Sequence, residues 1–355
     1  IKGLSIKGDY TGNKFFKQQK KHQNILYQSQ PDGTSIPQGS SNGVNNDKYN
    51  DTYQALNLWA EYKKTIKQHS FGVMAGYNQE SKKITALKTK VSGLYDNNTP
   101  VSDLATTLQS IGEDATVWAV QGMFFRLNYD YLGRYLLEVN GRYDGSSKFG
   151  ADNRWAVFPA FSLGWRIKNE PFLENVDFLS DLKLRFSWGR NGNSAIPSGY
   201  LQSSYVADYN GTSYAMNGQE SGSLQSGFRK YLTGNSTLKW ETVTQTNYGI
   251  DFGFFNQSLV GTIDYFYKKT TDMLYLPPYI GAFGEGGDTY VNGPSMENRG
   301  VEILLTYRNS LPSGFNYSIT GNIATFKNKI TELPDNVRSV YGGNGIVSFP
   351  LRPAP

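Results

Sequence analysis

The chain of 355 residues has 38% hydrophobic side chains, 14% aromatic ones and a net charge of +5. Mean hydropathy is −0.51, and no run of about 18 apolar residues occurs, which excludes a helical membrane span. Cysteine is absent, which excludes disulfide frameworks, thiolate metal sites and thiol catalysis. The small net charge leaves no nucleic-acid footprint.

Period-2 alternation of apolar and polar residues predicts eleven strands, near 1–10, 51–63, 67–78, 115–129, 133–144, 154–168, 181–190, 240–255, 258–269, 298–308 and 314–326. In the third, Phe71, Val73, Ala75 and Tyr77 share a face. In the fifth, Tyr135, Leu137, Val139 and Tyr143 oppose Glu138, Asn140, Arg142 and Asp144. Phe161, Leu163, Trp165 and Ile167 line the sixth, and Tyr248, Ile250, Phe252 and Phe254 the eighth. Leu259, Ile263, Tyr265 and Tyr267 line the ninth, and Val301, Ile303, Leu305 and Tyr307 the tenth. Aliphatic residues lie mid-strand with aromatics near the ends, while full charges occupy the opposite faces. An aromatic girdle brackets a lipid-facing band in this way, and charges need water or partners rather than hydrocarbon.

The connections alternate in length. Long ones are expected near 11–50, 79–114, 145–153, 191–239, 270–297 and from 327 onward. Short ones are expected at Lys64–Ile66, Asp130–Leu132, Asn256–Gln257 and Asn309–Ser313, with a middling link at 169–180. Keeping long and short connections at opposite parity predicts an antiparallel up-and-down meander rather than a Greek-key sandwich. The lysine-rich run KFFKQQKK at 14–21 reads as a solvated loop.

Five segments then carry a resemblance. DGSSKFGADNRWAVFPAFSLGWRI at 144–167, SDLKLRFSWGRNGN at 180–193, LKWETVTQTNYGIDFGFFN at 238–256, IDYFYKKTTDML at 263–274 and NRGVEILLTY at 298–307 resemble the SusC/RagA family of TonB-linked outer-membrane transporters of Bacteroidota. The resemblance covers about 120–330 and is looser before that. It implies an all-β fold, a transmembrane antiparallel up-and-down β-barrel of which this chain supplies about half of a 22-stranded wall. On this expectation 1–355 is a partial barrel domain, with the plug, the TonB box and the carboxy-terminal strands lying outside it. The resemblance further implies multi-pass insertion in the outer membrane. It implies import of an oligosaccharide or peptide nutrient, with TonB acting through the plug and a SusD-like lipoprotein as lid. The rival expectation is a passive surface barrel, an adhesin or assembly scaffold.

No cofactor or metal is expected, nor an enzyme activity. His22 and His69 are the only histidines and lie far apart in sequence. The glycines at 281–287 precede no helical pattern and read as a surface loop rather than a phosphate cradle. Asp144, Asp152 and Asn153 offer oxygens to calcium, but an Asp-, Gly- and Ser-rich turn satisfying its own backbone is the commoner use of such residues. The long connections hold the ligand-binding candidates: Tyr200, Tyr205, Tyr209 and Tyr214 in 200–231, and Tyr279 and Phe283 in 277–292. Tyrosine among adaptable polar residues binds sugars or peptides through ring contacts and hydrogen bonds. The competing reading, packing of the loop on itself or on a partner, remains open.

Overall fold

The computed structural model describes residues 2–38, 41–208, 227–277 and 289–334. Its main feature is an eleven-stranded antiparallel sheet in strict chain order. The strands are β1 (Leu4–Gln23), β2 (Gly43–Ile66), β3 (His69–Leu94), β4 (Ala105–Tyr131), β5 (Tyr135–Ser146) and β6 (Trp155–Arg166). They continue with β7 (Leu179–Asn193), β8 (Glu241–Phe254), β9 (Leu259–Thr271), β10 (Ser295–Ser310) and β11 (Asn316–Glu332). Among the described residues no helix is long and apolar enough to cross a membrane.

The alternation seen in the sequence becomes rows across the sheet. One row runs Tyr135, Trp165, Leu184, Ile250, Ile263, Ile303 and Ile323, each opposite the next. The neighbouring row runs Leu137, Leu163, Phe186, Tyr248, Tyr265 and Val301. Because side chains alternate across a strand, the residues between these rows project from the other face. There Leu136, Gly164, Arg185, Gly249, Asp264 and Glu302 form one row. A register slip of one residue would exchange the two faces, so the pattern itself specifies the pairing.

Short connections keep the parity read from the sequence, at 67–68, 132–134, 255–258 and 311–315. They turn by placing residues in the left-handed region: Lys67 at φ 55°, Leu132 at 60° and Gly133 at 65°. Phe255, Asn256 and Gln257 do so in succession, at 54°, 52° and 66°. The Asp130 carboxylate accepts the Gly133 N–H at 2.6 Å and closes the second of these turns.

By contact density the chain divides into two compact units. One comprises Ile1–Lys7, Leu58–Tyr77 and Gln121–Pro355; the other comprises Gly8–Asn57 and Asn78–Val120. The first has its buried cluster in Phe149, Phe158, Ile196, Leu238 and Trp240. The second has a smaller one in Val44, Val91 and Leu94. The second unit corrects the sequence reading. Residues 11–23, 43–50, 79–94 and 105–114, expected in long loops, are strand, including the lysine-rich run at 14–21. The connections shrink to 24–42 and 95–104, and the first of them folds a hairpin, Leu26–Ser29 against Ser35–Gln38. The alternation rule failed here because both faces of these strands carry polar and charged side chains, so no period of two is written in the sequence.

Candidate functional site

Two surfaces and one set of connections in the first unit carry chemistry. On the polar face Arg185 of β7 lies opposite Gly249 of β8, which lies opposite Asp264 of β9. Arg185 reaches across the glycine. Its Nε donates to both Asp251 carboxylate oxygens at 2.9 Å, and its Nη2 donates to Asp264 Oδ2 at 3.0 Å. A Cβ at position 249 would lie 2.5 Å from Asp264 Oδ1 and 2.7 Å from Arg185 Cζ, so glycine keeps open the lane in which the guanidinium lies. Two carboxylates bound to one guanidinium leave this three-strand knot with a net negative charge. Toward the long connections on the same face, Arg142 makes a two-pronged bond to Asp144, at 3.0 and 2.8 Å. Arg126 Nε donates to Asn140 Oδ1 at 2.8 Å. A groove of about 550 Å³ follows this face, with Glu138, Ser162, Lys183, Arg185, Ser187 and Asn247 among its lining residues.

The opposite face is apolar and uncovered. Leu163 is 47% exposed, Ile250 40% and Tyr248 54%. A soluble sheet would bury such side chains at about 25 cal/mol per Å². A shallow groove of about 870 Å³ runs between Leu137, Leu163, Leu184, Phe186, Ile250 and Ile263. Aromatics gather at its two ends. Toward the short turns, Tyr131, Tyr135 and Trp165 stack in sequence, at 6.2 and 6.4 Å. Toward the long connections, Tyr143 stacks on Trp155 at 4.8 Å. Tyr135 and Tyr143 are eight residues apart on β5, roughly 26 Å along the strand at the usual rise.

The connections between β5 and β6, β7 and β8, and β9 and β10 are latched together. Phe149 and Leu238 are fully buried, and Trp240 packs on Phe149 and Phe158 with centroids 5.2 and 5.4 Å away. Trp240 Nε1 donates to Arg154 O at 2.9 Å, and Asn153 Nδ2 to Thr237 O at 3.1 Å. Asn292 Nδ2 donates to the carbonyls of Lys239 and Asp272, both at 2.8 Å, while its Oδ1 accepts the Lys239 N–H. Lys148 donates to Ser194 O at 3.2 Å, and burial lowers its pKa from the usual lysine value.

Of the predicted ligand-binding residues, two are described. Tyr200 packs against the buried cluster, edge-on to Tyr290 at 4.7 Å. Tyr205 stands 64% exposed on a hairpin, Ser204–Asp208 paired with Gly227–Leu232. Phe228 of the same hairpin, diagonal to Tyr205, is also exposed. Tyr209, Tyr214, Tyr279 and Phe283 lie outside the described residues, as do the glycines at 281–287. Of the calcium candidates, Asp144 is held by Arg142, and Asn153 Nδ2 donates to Thr237 O. Among the described residues no group of three His, Asp or Glu side chains could hold a metal. The Arg185–Asp251–Asp264 knot escaped the sequence reading, although the polar parity of Arg185, Gly249 and Asp264 was its signal.

Comparison with known proteins agrees with this architecture. The family described as "TonB dependent receptor-like, beta-barrel" matches residues 2–350. TonB-dependent receptor SusC of Bacteroides thetaiotaomicron is 32% identical over 304 residues, 85% of this chain and 29% of that protein. TonB-dependent receptor P39 of Formosa agariphila is 35% identical over 248 residues, 70% of this chain and 22% of that protein. Among solved structures, the RagAB peptide transporter superposes with a TM-score of 0.80 at 25% identity, over 94% of this chain and 35% of the matched chain. The chain thus spans about a third or less of the length of the relatives it matches.

Proposed function

Because this chain belongs to the TonB-dependent receptor β-barrel family, we propose that it forms part of the wall of an outer-membrane importer. The observation that carries the reading is the pairing of an uncovered apolar face, bracketed by aromatics, with a charged face across the same strands. A lipid-facing band is about 25 Å tall and flanked by aromatic girdles, which accords with the Tyr135-to-Tyr143 spacing. The apolar rows then meet acyl chains. The Arg185–Asp251–Asp264 knot faces the polar lumen, where charged side chains find water or partners.

The cargo is an oligosaccharide or a peptide, the partners are TonB and a SusD-like surface lipoprotein, and the barrel performs no covalent chemistry. Support for the cargo is the Tyr- and Phe-bearing hairpin around Tyr205 and Phe228, together with the likeness to a peptide transporter. Tyr205 and Phe228 are the ring contacts; Tyr200 acts behind them as part of the packed base. Tyr209, Tyr214, Tyr279 and Phe283 remain candidates for the same contacts. Uptake of labelled oligosaccharides and peptides by cells carrying or lacking the full-length gene tests this, in backgrounds with and without TonB. Uptake lost in both deletions is the expected result. Unchanged uptake with loss of surface adhesion would replace the importer with a passive surface barrel.

A further inference from the structure

The connection between β6 and β7, residues 167–178, is built differently from the other links on its side of the sheet. The tight turns there have two to five residues; this one has twelve and folds two short 3-10 turns, Ile167–Asn169 and Pro171–Leu173. Its own side chains close it. Lys168 Nζ donates to the carbonyls of Leu173 and Val176, at 3.0 and 2.9 Å. Ile167, Leu173 and Val176 are half-buried, yet Phe172 is 68% exposed and Phe178 58%. Two large aromatics thus project from a segment that has the means to bury apolar side chains.

Phe178 continues the aromatic row at the short-turn end of the apolar face, and Phe172 lies six residues before it in the same segment. Phe178 stacks on Phe254 at 6.1 Å with the rings nearly parallel, 6° apart. The base of the segment is tied to the same row by Glu170. Its carboxylate accepts Trp165 Nε1–H at 3.0 Å and Arg134 Nη1–H at 3.4 Å, and also bonds the Tyr135 hydroxyl. The Glu170 side chain is only 9% exposed. The Tyr135 bond, then the Trp165 bond, holds its carboxyl below the usual range. Trp165 and Tyr135 are members of the aromatic row themselves. Glu170 therefore fixes the connection's orientation relative to the row rather than merely satisfying a buried charge.

We propose that residues 167–178 form an in-plane membrane anchor, with Phe172 and Phe178 seated at the headgroup–acyl boundary of the leaflet on the short-turn side. Glu170 is its positioning residue. The occupant of the exposed rings is lipid, because Phe178 extends the row that abuts the apolar face and Phe172 is exposed on the same short segment, and this rests on the reading of that face as lipid-facing. Amphipathic aromatic segments lie about 5–10 Å into this boundary, where aromatic rings are enriched. The polar residues Glu174, Asn175 and Asp177, all exposed and between the two rings in sequence, are left for water.

Depth-dependent fluorescence quenching tests the inference in the full-length protein, on a cysteine-free background in phosphatidylcholine–phosphatidylethanolamine vesicles. Single cysteines replacing Phe172, Leu163 or Glu174 carry an environment-sensitive fluorophore. The lipids carry a spin label either near the headgroup or deep in the chain. The Phe172→Cys probe should be quenched about twofold or more strongly by the shallow label than by the deep one. Leu163→Cys should show the reverse order, and Glu174→Cys should answer only to aqueous iodide. Quenching at 163 without quenching at 172, the latter open to iodide, overturns the anchor and leaves the membrane reading intact. A 172 probe shielded from both lipid label and iodide means a protein covers it, which also overturns the anchor. No lipid quenching at 163 removes the membrane reading and the anchor with it. Glu170→Ala should cut the shallow quenching at 172 while Glu170→Gln, which still accepts the Trp165 bond, should restore it. Equal quenching in both variants would refute the positioning role.

Discussion

The strands from β5 to β10 and the β3 and β4 segments of the second unit, 78–94 and 105–120, are equally regular as backbone but differ in what they write into the sequence. In β5, Tyr135, Leu137 and Val139 alternate with Leu136, Glu138 and Asn140. In 105–120, one parity holds Ala105, Thr107, Gln109, Ile111, Glu113 and Val117, and the other holds Thr106, Leu108, Ser110, Asp114 and Trp118. Neither parity is apolar. Strict alternation appears where one face has a solvent of its own; strands wetted on both faces are held by ladder hydrogen bonds and need no such code.

This contrast predicts unequal tolerance of charge. Leu163→Arg or Ile250→Arg should destabilise the full-length protein by roughly 2–4 kcal/mol in folding titrations in vesicles, the usual cost of arginine at mid-bilayer on a barrel's lipid face. Leu137→Arg and Ile303→Arg should behave alike. Leu108→Arg, equally apolar in sequence but exposed in the second unit, should stay within about 0.5 kcal/mol. Equal costs at positions 163 and 108 would dissolve the distinction between the two regions.

A smaller effect is expected on the polar face. Gly249→Ala forces a methyl against the Arg185 guanidinium and Asp264. Charge-assisted hydrogen bonds contribute about 1.5–3 kcal/mol each, and the partial exposure of Arg185 discounts this toward 1 kcal/mol or so. A double-mutant cycle of Gly249→Ala with Arg185→Met measures it. Strict additivity would show that the glycine does not serve the arginine.

Sidedness carries no energetic term but sharpens the same comparison. Cysteines at Gln202 and Gln257, labelled on intact cells with an impermeant maleimide, should react at 202 and not at 257. The reverse pattern would exchange the long-connection and short-turn sides.

How much was legible follows from these differences. All eleven strands and the parity of their connections were readable, because apolar rows such as Tyr135–Trp165–Leu184–Ile250 are one-dimensional patterns before they are a surface. The ends of β1 to β4 were not, since nothing alternates there. The candidate site was legible only as composition. Tyr200 and Tyr205 carry the same side chain among similar neighbours, yet one packs on a buried cluster and the other stands in solvent. What separates them is Tyr290, ninety residues on, whose contact with Tyr200 no local pattern announces. The Glu170 tie is illegible for a related reason: its donors Arg134 and Tyr135 lie in the turn before β5 and at its first residue, and only the register brings them close.

The smallest expected effect lies in the second unit, in the connection 95–104. Asp96 Oδ1 accepts the Asn98 N–H at 2.9 Å and Oδ2 accepts the Thr99 hydroxyl at 2.7 Å, bonds made within the turn itself. The Asn98 bond, then the Thr99 bond, lowers the Asp96 pKa below the usual carboxylate value. A depressed carboxylate contributes its stabilisation fully above its ordinary, unfolded pKa, and that contribution is lost as pH falls through the lowered folded value. The loss should be local, because the bonds that Asp96 accepts come from Asn98 and Thr99 of its own turn. Amide exchange at Asn98, corrected for intrinsic acid dependence, should therefore quicken as pH drops below the ordinary aspartate range, while exchange in β5 to β10 stays constant. Asp96→Asn keeps one acceptor oxygen but does not titrate, so it should flatten the pH dependence at Asn98. If exchange across β5 to β10 quickened in step with Asn98, the turn would be coupled to the spanning strands, and the two regions would not be the independent structures that their sequences suggest.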